Sequence, residues 1–240
     1  MSHGARIAER GGEPQALWET SPLLAGVPGL VHGFTTRAAG DLSAGALPRG
    51  LPGPGARALR LLRQVHGCRV ASPSAPEPAP EADGWAGRPP PGVLLGILTA
   101  DCVPVLLCHP RSRTLGLVHA GWRGIARGVV LRVLKAMGVP AEEVWAAIGP
   151  AIGSCCYQVG PEVVRALGPD GATPWPGAPG RYREDLVRRV RAQMEEAGIP
   201  GARIDRVGGC TACHPERYFS HRARGETGRL LAFAGWAPEG

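Results

Sequence analysis

The chain is nearly devoid of lysine: Lys135 is the only one among 240 residues, and arginine supplies the rest of the basic side chains. It also lacks any apolar run of the roughly 18–20 residues needed to span a bilayer. The longest such run, Val93 to Leu107, is broken by Asp101 and Pro104. Met1 to Pro22 contains no apolar stretch of signal-peptide length. A cytoplasmic protein with reduced thiols is therefore expected, with no membrane partner. The seven cysteines are an odd number, which fits free thiols or metal ligands better than a disulfide framework. No internal repeat is visible. The formal charge of +7 raises nucleic-acid binding, but the arginines form no basic block and no binding signature appears. No nucleic-acid partner is expected.

What is present is an ordinary globular composition, 44% hydrophobic, and a chain long enough to bury a core without cross-links. Glycine (36) and proline (25) lie between apolar runs and punctuate turns. Residues 1–16 read as a loose polar arm and 17–240 as a single domain. Strands are expected at Leu30–Thr36, Val93–Leu98, Val103–Leu107, Leu115–His119, Val144–Ile148, Arg203–Val207 and Arg229–Ala234. The spacing predicts helices over Ala56–Val65, Ile125–Met137, after Pro161, and over Asp185–Ala197 with Asp185 as cap and Gly198 as stop. Residues 38–55, 71–82 and 168–181 read as loops. The mixture lacks strict alternation, so the fold class is α+β in one domain.

Three segments place a metal-type ligand beside small residues at a strand end. They are Gln64-Val65-His66-Gly67, Thr99-Ala100-Asp101-Cys102 and His119-Ala120-Gly121-Trp122-Arg123-Gly124. Histidine nitrogen and cysteine thiolate suit zinc, and three protein ligands leave one tetrahedral position open. The ligand separations, 36 residues and then 17, require convergence through the fold rather than a local finger. Such a metal can acidify a bound water towards about pH 7 or polarise a substrate atom. Taken singly, each histidine reads equally as a satisfied core residue and Cys102 as a small hydrophobe.

These three segments, with Gly149-Pro150-Ala151-Ile152-Gly153 through Cys156-Tyr157-Gln158-Val159, resemble the laccase-domain family. Its members are also called multicopper polyphenol oxidases and purine nucleoside phosphorylases. His32-Gly33-Phe34-Thr35-Thr36-Arg37, Asp83-Gly84, Cys210-Thr211 and Thr227-Gly228-Arg229 match as well, in order over roughly residues 17–235. The resemblance implies that His66, Cys102 and His119 hold one zinc ion. It implies a four-layer α/β/β/α architecture of mixed sheets. It further implies phosphorolysis of purine nucleosides (adenosine, inosine, guanosine, methylthioadenosine) together with adenosine deamination. Separately, a monomer or small homo-oligomer is expected. Two departures fall on the substrate side: residues 44–56 are shortened and proline-rich, and the usual Ser-Tyr-Arg-Arg appears as Ser220-His221-Arg222-Ala223.

Catalytic candidates follow from the chemistry. Asp101, beside a ligand, could move the proton in deamination, or simply cap nearby amides. Asp83 has a local reading as a turn residue. Arg123, at a helix start, suits phosphate through its planar fork and the free amides beside it. Arg37, Tyr157, Arg222 and Arg229 are further substrate or phosphate candidates. Cys155-Cys156 reads as a structural turn. Cys210-Thr211-Ala212-Cys213-His214 matches a haem-attachment string, but without an export signal and outside a thioredoxin-like setting it carries no such chemistry. Three rival readings remain. Copper is the less expected ion: two histidines and a cysteine match a type 1 site, yet none of the seven histidines forms the H-x-H pairs of a trinuclear cluster. A metal-free hydrolase would use Cys102 as nucleophile and His119 as base. A structural metal protein would close the site with Cys68 or Cys108.

Overall fold

The computed structural model describes residues 16–45, 58–76, 78 and 80–238. The expected arm, apart from residue 16, and most of the 44–56 stretch lie outside the described residues. Two mixed sheets stack face to face. The first has five strands in the order β1 (Trp18–Glu19), β2 (Leu30–Thr35), β14 (Leu230–Trp236), β6 (Val93–Thr99), β3 (Ala58–Arg60). The second has six, in the order β13 (Ile204–Arg206), β9 (Trp145–Ile148), β7 (Val103–His109), β8 (Thr114–Ala120), β5 (Gly84–Gly87), β4 (Val70–Ala71). A small antiparallel sheet joins β10 (Gln158–Val159), β11 (Thr173–Pro174) and β12 (Tyr182–Arg183). The helices are α1 (Pro22–Ala25), α2 (Trp122–Ala126), α3 (Val129–Met137), α4 (Pro161–Leu167), α5 (Leu186–Glu196) and α6 (His221–Arg224). The result is the mixed α/β single domain that the sequence implied.

Side-chain alternation decides the layers. On β7 and β8, Val103, Val105, Leu107, Val118 and Ala120 face Val129, Val130, Val133 and Met137 of α3 and Val190 and Met194 of α5. The alternate residues, Leu106, Cys108, Leu115 and Leu117, turn to the other sheet with Trp85. There they meet Phe34, Leu95, Ile97, Ala232 and Ala234. Every residue of β7 and β8 is buried, which is why these strands read as continuous apolar runs. On the far side of the five-stranded sheet, Leu94, Leu231 and Phe233 lie under Leu42, Leu59 and Leu61. Among the described residues the outer layer on this side is thin.

Two expectations need correction. Residues 58–65 are not helical. Ala58–Arg60 pairs parallel with Val93–Leu95, and Arg63 bridges to Glu81. Leu59 and Leu61 share the outer face while Leu62 enters the inter-sheet core, a two-residue alternation that overrides the helical reading. The single helix expected over Ile125–Met137 is two helices, starting at Trp122. Gly128 separates them in a left-handed conformation at φ 69°, which glycine adopts without the Cβ clash. Asp185 does cap α5, accepting the Arg188 amide at 2.9 Å. The edge strand at Trp18–Glu19 and the helix at His221–Arg224 escaped the sequence reading because they are too short to show a period.

Phe34 of β2 fills the space over Gly149, where an added Cβ would sit 2.1 Å from the ring. Gly149→Ala should overpack this junction and lower stability by about 1–3 kcal/mol. A denaturation midpoint unchanged from the parent protein would contradict this close approach of the two sheets.

Candidate metal centre

The chain crosses from the five-stranded to the six-stranded sheet in the turn between β6 and β7, and Cys102 lies on that crossover. β8 runs antiparallel to β7 with Val103 opposite Ala120, so His119 ends beside the same turn. His66 arrives on the loop after β3. That loop is held against β6 by Gln64, whose side-chain amide donates to Leu98 O and accepts from Leu98 N, both at 2.8 Å. The donor atoms of His66, Cys102 and His119 all lie within 4.8 Å of one another. Gly121 allows this approach, since a Cβ there would meet Cys102 Sγ at 3.1 Å and His66 Cδ2 at 3.2 Å.

Asp83 organises both histidines. It is 0% exposed. Its Oδ1 accepts from the His66 amide at 2.9 Å and lies 2.8 Å from His119 Nδ1, and its Oδ2 accepts from Gly67 N at 2.6 Å and Val65 N at 3.3 Å. The three amides hold His66 at φ 56°, a left-handed conformation uncommon for a residue with a side chain. The bond to Nδ1 orients the His119 ring and leaves Nε2 for the centre, the arrangement by which carboxylates fix metal-binding histidines. Burial pushes the Asp83 carboxyl up, yet the His119 and Gly67 hydrogen bonds hold it below its ordinary value.

The electrostatics favour a bound cation. Burial pushes the Cys102 thiol up, but adjacent His119 and His66 outweigh it and bring it down to about 6. Burial pulls His119 down, while the Cys102 charge and Asp83 raise it to about 9. The thiolate is the ligand form of cysteine, and a divalent ion would take the place of the proton shared among these groups. Donor type, convergence and the carboxylate behind His119 all fit a borderline ion such as zinc. The set is not closed: His66 is exposed and Cys102 half-buried. Cys108 packs in the inter-sheet core, where burial pushes it up to about 12, and Cys68 lies against the helical side of the core. Neither belongs to this donor group, so the closed structural site is not formed.

The centre lies in the wall of a cavity of about 560 Å³ that is also lined by Asp101, Trp122, Arg123, Tyr157, His221, Arg222 and Arg229. Asp101 is the only carboxylate among the described lining residues. It sits at φ 97°, and its oxygens accept from Thr211 Oγ1 and from Arg222 N, each at 2.6 Å. The capping alternative is thus part of its geometry. Arg123 stacks on Trp122, 4.3 Å from the ring centroid, and has no ion pair among the described residues. Arg222 lies 4.8 Å over the Tyr157 ring. Burial raises Tyr157 to about 12 against the opposing charge of Arg222. Arg229 donates to the Glu226, Thr227 and Gly228 carbonyls, which fixes its own loop.

Arg37 lies apart from the other candidates. It stays outside the cavity lining, pairs with Glu226 at 2.5 Å, bonds Tyr218 O and stacks on Phe219. These contacts tie it to the loops on either side of α6, through a carboxylate that it shares with Arg224. Sequence reasoning undervalued Asp83, whose only signal was the Asp-Gly pair, and gave no role to Gln64, Thr211 or His221.

Fold and site together define a mixed α/β protein with an open Cys–His₂ centre in a cavity of cationic and aromatic residues. A family profile described as multi-copper polyphenol oxidoreductase laccase matches residues 50–237, and the chain belongs to this laccase-domain family. Curated relatives include the purine nucleoside phosphorylase YlmD of Geobacillus stearothermophilus, 37% identical over 191 residues, covering 72% of this chain and 70% of the relative. Another is the purine nucleoside phosphorylase PA4543 of Pseudomonas aeruginosa, 36% identical over 177 residues, covering 71% of each. Among solved structures, YlmD of G. stearothermophilus aligns with a TM-score of 0.75 at 30% identity, over 95% of this chain and 98% of that one. Neisseria meningitidis protein NMB0706 aligns with a TM-score of 0.79 at 25% identity, over 93% and 100%. No helix among the described residues is long and apolar enough to cross a membrane.

Asp83→Asn sets an amide NH₂ against backbone or ring donors. It should weaken zinc binding about 10–100-fold, the usual effect of losing such a supporting group. Competition with a chromogenic chelator reads this directly. An unchanged affinity would remove Asp83 from the centre.

Proposed function

We propose that this chain is a zinc-dependent purine nucleoside phosphorylase that also deaminates adenosine, with inosine, guanosine and methylthioadenosine as further substrates. The observation that carries the reading is the convergence of His66, Cys102 and His119 on a cavity with exposed guanidinium groups. The names of the relatives support the nucleoside class. His66, Cys102 and His119 would hold the ion. When bound, it would supply Lewis-acid chemistry at the fourth position.

The chain's own residues do the rest. In phosphorolysis a phosphate oxygen bonds to ribose C1′ as the C1′–N9 bond breaks, and the purine leaves with the electron pair and takes a proton. Arg123 is the first phosphate ligand, because its fork meets two oxygens at once. Arg222 and Arg229 add positive charge around the anion. Tyr157 and Trp122, whose rings carry Arg222 and Arg123, give the cavity the apolar wall against which the purine would lie. In deamination water adds at C6 and ammonia leaves. Asp101, as the cavity carboxylate, carries the proton to the departing nitrogen while its other lone pairs keep Thr211 and the first turn of α6 in place.

One observation favours a second reading. Asp83, His119 and Cys102 are also aligned as the triad of a cysteine hydrolase. His66 argues against it, since a triad has no use for a second imidazole on the sulfur. A copper oxidase has weaker support: the only other metal-type cluster among the described residues contains four cysteines and no histidine.

Zinc-loaded protein incubated with adenosine and phosphate should yield adenine, ribose 1-phosphate and inosine, and Cys102→Ala should yield none. An acyl adduct on Cys102 without phosphorolysis would establish the hydrolase instead. Arg123→Ala should raise the KM for phosphate about tenfold or more, equivalent to the loss of one charge-assisted hydrogen bond of about 1.5–3 kcal/mol. An unchanged KM would move the phosphate elsewhere.

A further inference from the structure

We infer that Cys155, Cys156, Cys210 and Cys213 form a second metal site, a tetrathiolate that holds one zinc ion and staples two loops beside the cavity. The four sulfurs come from two separate segments, 155–156 and 210–213, yet all lie within 4.8 Å of one another. Cys213 Sγ is 3.5 Å from Cys155 Sγ and 3.4 Å from Cys156 Sγ. Four thiolates about 2.3 Å from one tetrahedral zinc sit about 3.8 Å apart, so the observed spacing brackets what the ion requires. All four are free thiols in this structure.

The backbone is arranged for this. A short parallel bridge between Ala151 and Cys210 sets the two loops side by side, with Thr211 N donating to Ala151 O at 3.1 Å. The amides of Gly153, Ala212 and Cys213 all point at Cys210 Sγ, that of Gly153 at 3.1 Å. Amides aimed at one sulfur stabilise it as a charged ligand, as outer partners do at metal sites. Gly153 favours the close approach of the loops: a Cβ there would lie 3.1 Å from Cys155 Sγ and 3.3 Å from Cys210 Cβ. The C-x-x-C spacing of Cys210 and Cys213 is that of structural zinc ligands, which are usually closed by four protein donors. Arg206, which donates to the Gly209 carbonyl, and Arg224, which donates to those of Thr211 and Ala212, border the cluster. They would offset the two negative charges left on a zinc tetrathiolate.

The position gives the staple a purpose. Thr211, between the paired cysteines, is the residue that holds Asp101. Tyr157, directly after Cys156, lines the cavity. One ion at the four sulfurs would fix both parts of that wall without touching the reacting atoms. The site stands independently of the activity proposed above, because its ligands are not shared with His66, Cys102 or His119.

Zinc content and zinc-edge absorption spectroscopy test it. The intact chain, purified under reducing conditions with zinc, should carry two zinc ions. Cys102→Ala should keep one, surrounded by four sulfurs at about 2.3 Å. Cys155→Ser and Cys213→Ser, both at exposed positions, should each lose one ion and keep the other in a sulfur–nitrogen environment. The Cys102→Ala chain separates the two sites even if a serine variant folds poorly. A zinc-free Cys102→Ala chain, zinc there bound by nitrogen or oxygen, iron in its place, or disulfides among the four cysteines would overturn the inference.

Discussion

The buried carboxylate of Asp83 is the constraint on which the centre depends. It accepts hydrogen bonds from three successive amides and from one imidazole, so one group sets both the strained loop at His66 and the ring plane of His119. A buried charge persists only where its partners replace the water it has lost. Here those partners are parts of the centre itself. The position of Asp83 is in turn fixed by the sheet, since His119 N donates to its carbonyl at 2.8 Å. Strand pairing thus reaches the ligands through one residue.

The cavity exists because the chain changes sheets where the strands end. The turn at 100–102 joins the two layers, and Asp101 within it reaches across to Thr211 and to the first turn of α6. Glu226 does comparable work from the other side, taking Arg37, Arg224 and the Ser220 amide. The cavity wall formed by residues 221–229 is therefore held by ionic groups, whereas Cys102 and His119 rest on the buried strands β7 and β8. The two sides of the cavity thus have different supports.

Much of this was legible in the residues. The strands between Val93 and His119 announce themselves as apolar runs because both their faces are buried, and the three ligand segments stand at their ends. The metal triad was reached by resemblance, since separations of 36 and 17 residues encode no geometry on their own. The segment at 58–65 misled because its leucines satisfy helical and strand spacing alike, and only the partner strand β6 decides between them. The ion pair of Arg37 could not be read from the sequence, because Glu226 is 189 residues away. Asp83 gave only a turn signal, since a carboxylate's role depends on which donors surround it in space. The four cysteines were visible as two unrelated pairs, and only the bridge between Ala151 and Cys210 makes them one cluster.

The central claim is that His66, Cys102 and His119 share one ion. Anomalous diffraction from crystals of the zinc-loaded protein, recorded on both sides of the zinc edge, tests it most directly. The account predicts a peak at a point about 2.0–2.1 Å from both histidine nitrogens and about 2.3 Å from the Cys102 sulfur. Density showing the three side chains ordered around a point with no anomalous signal, under conditions where zinc is in excess, would contradict it.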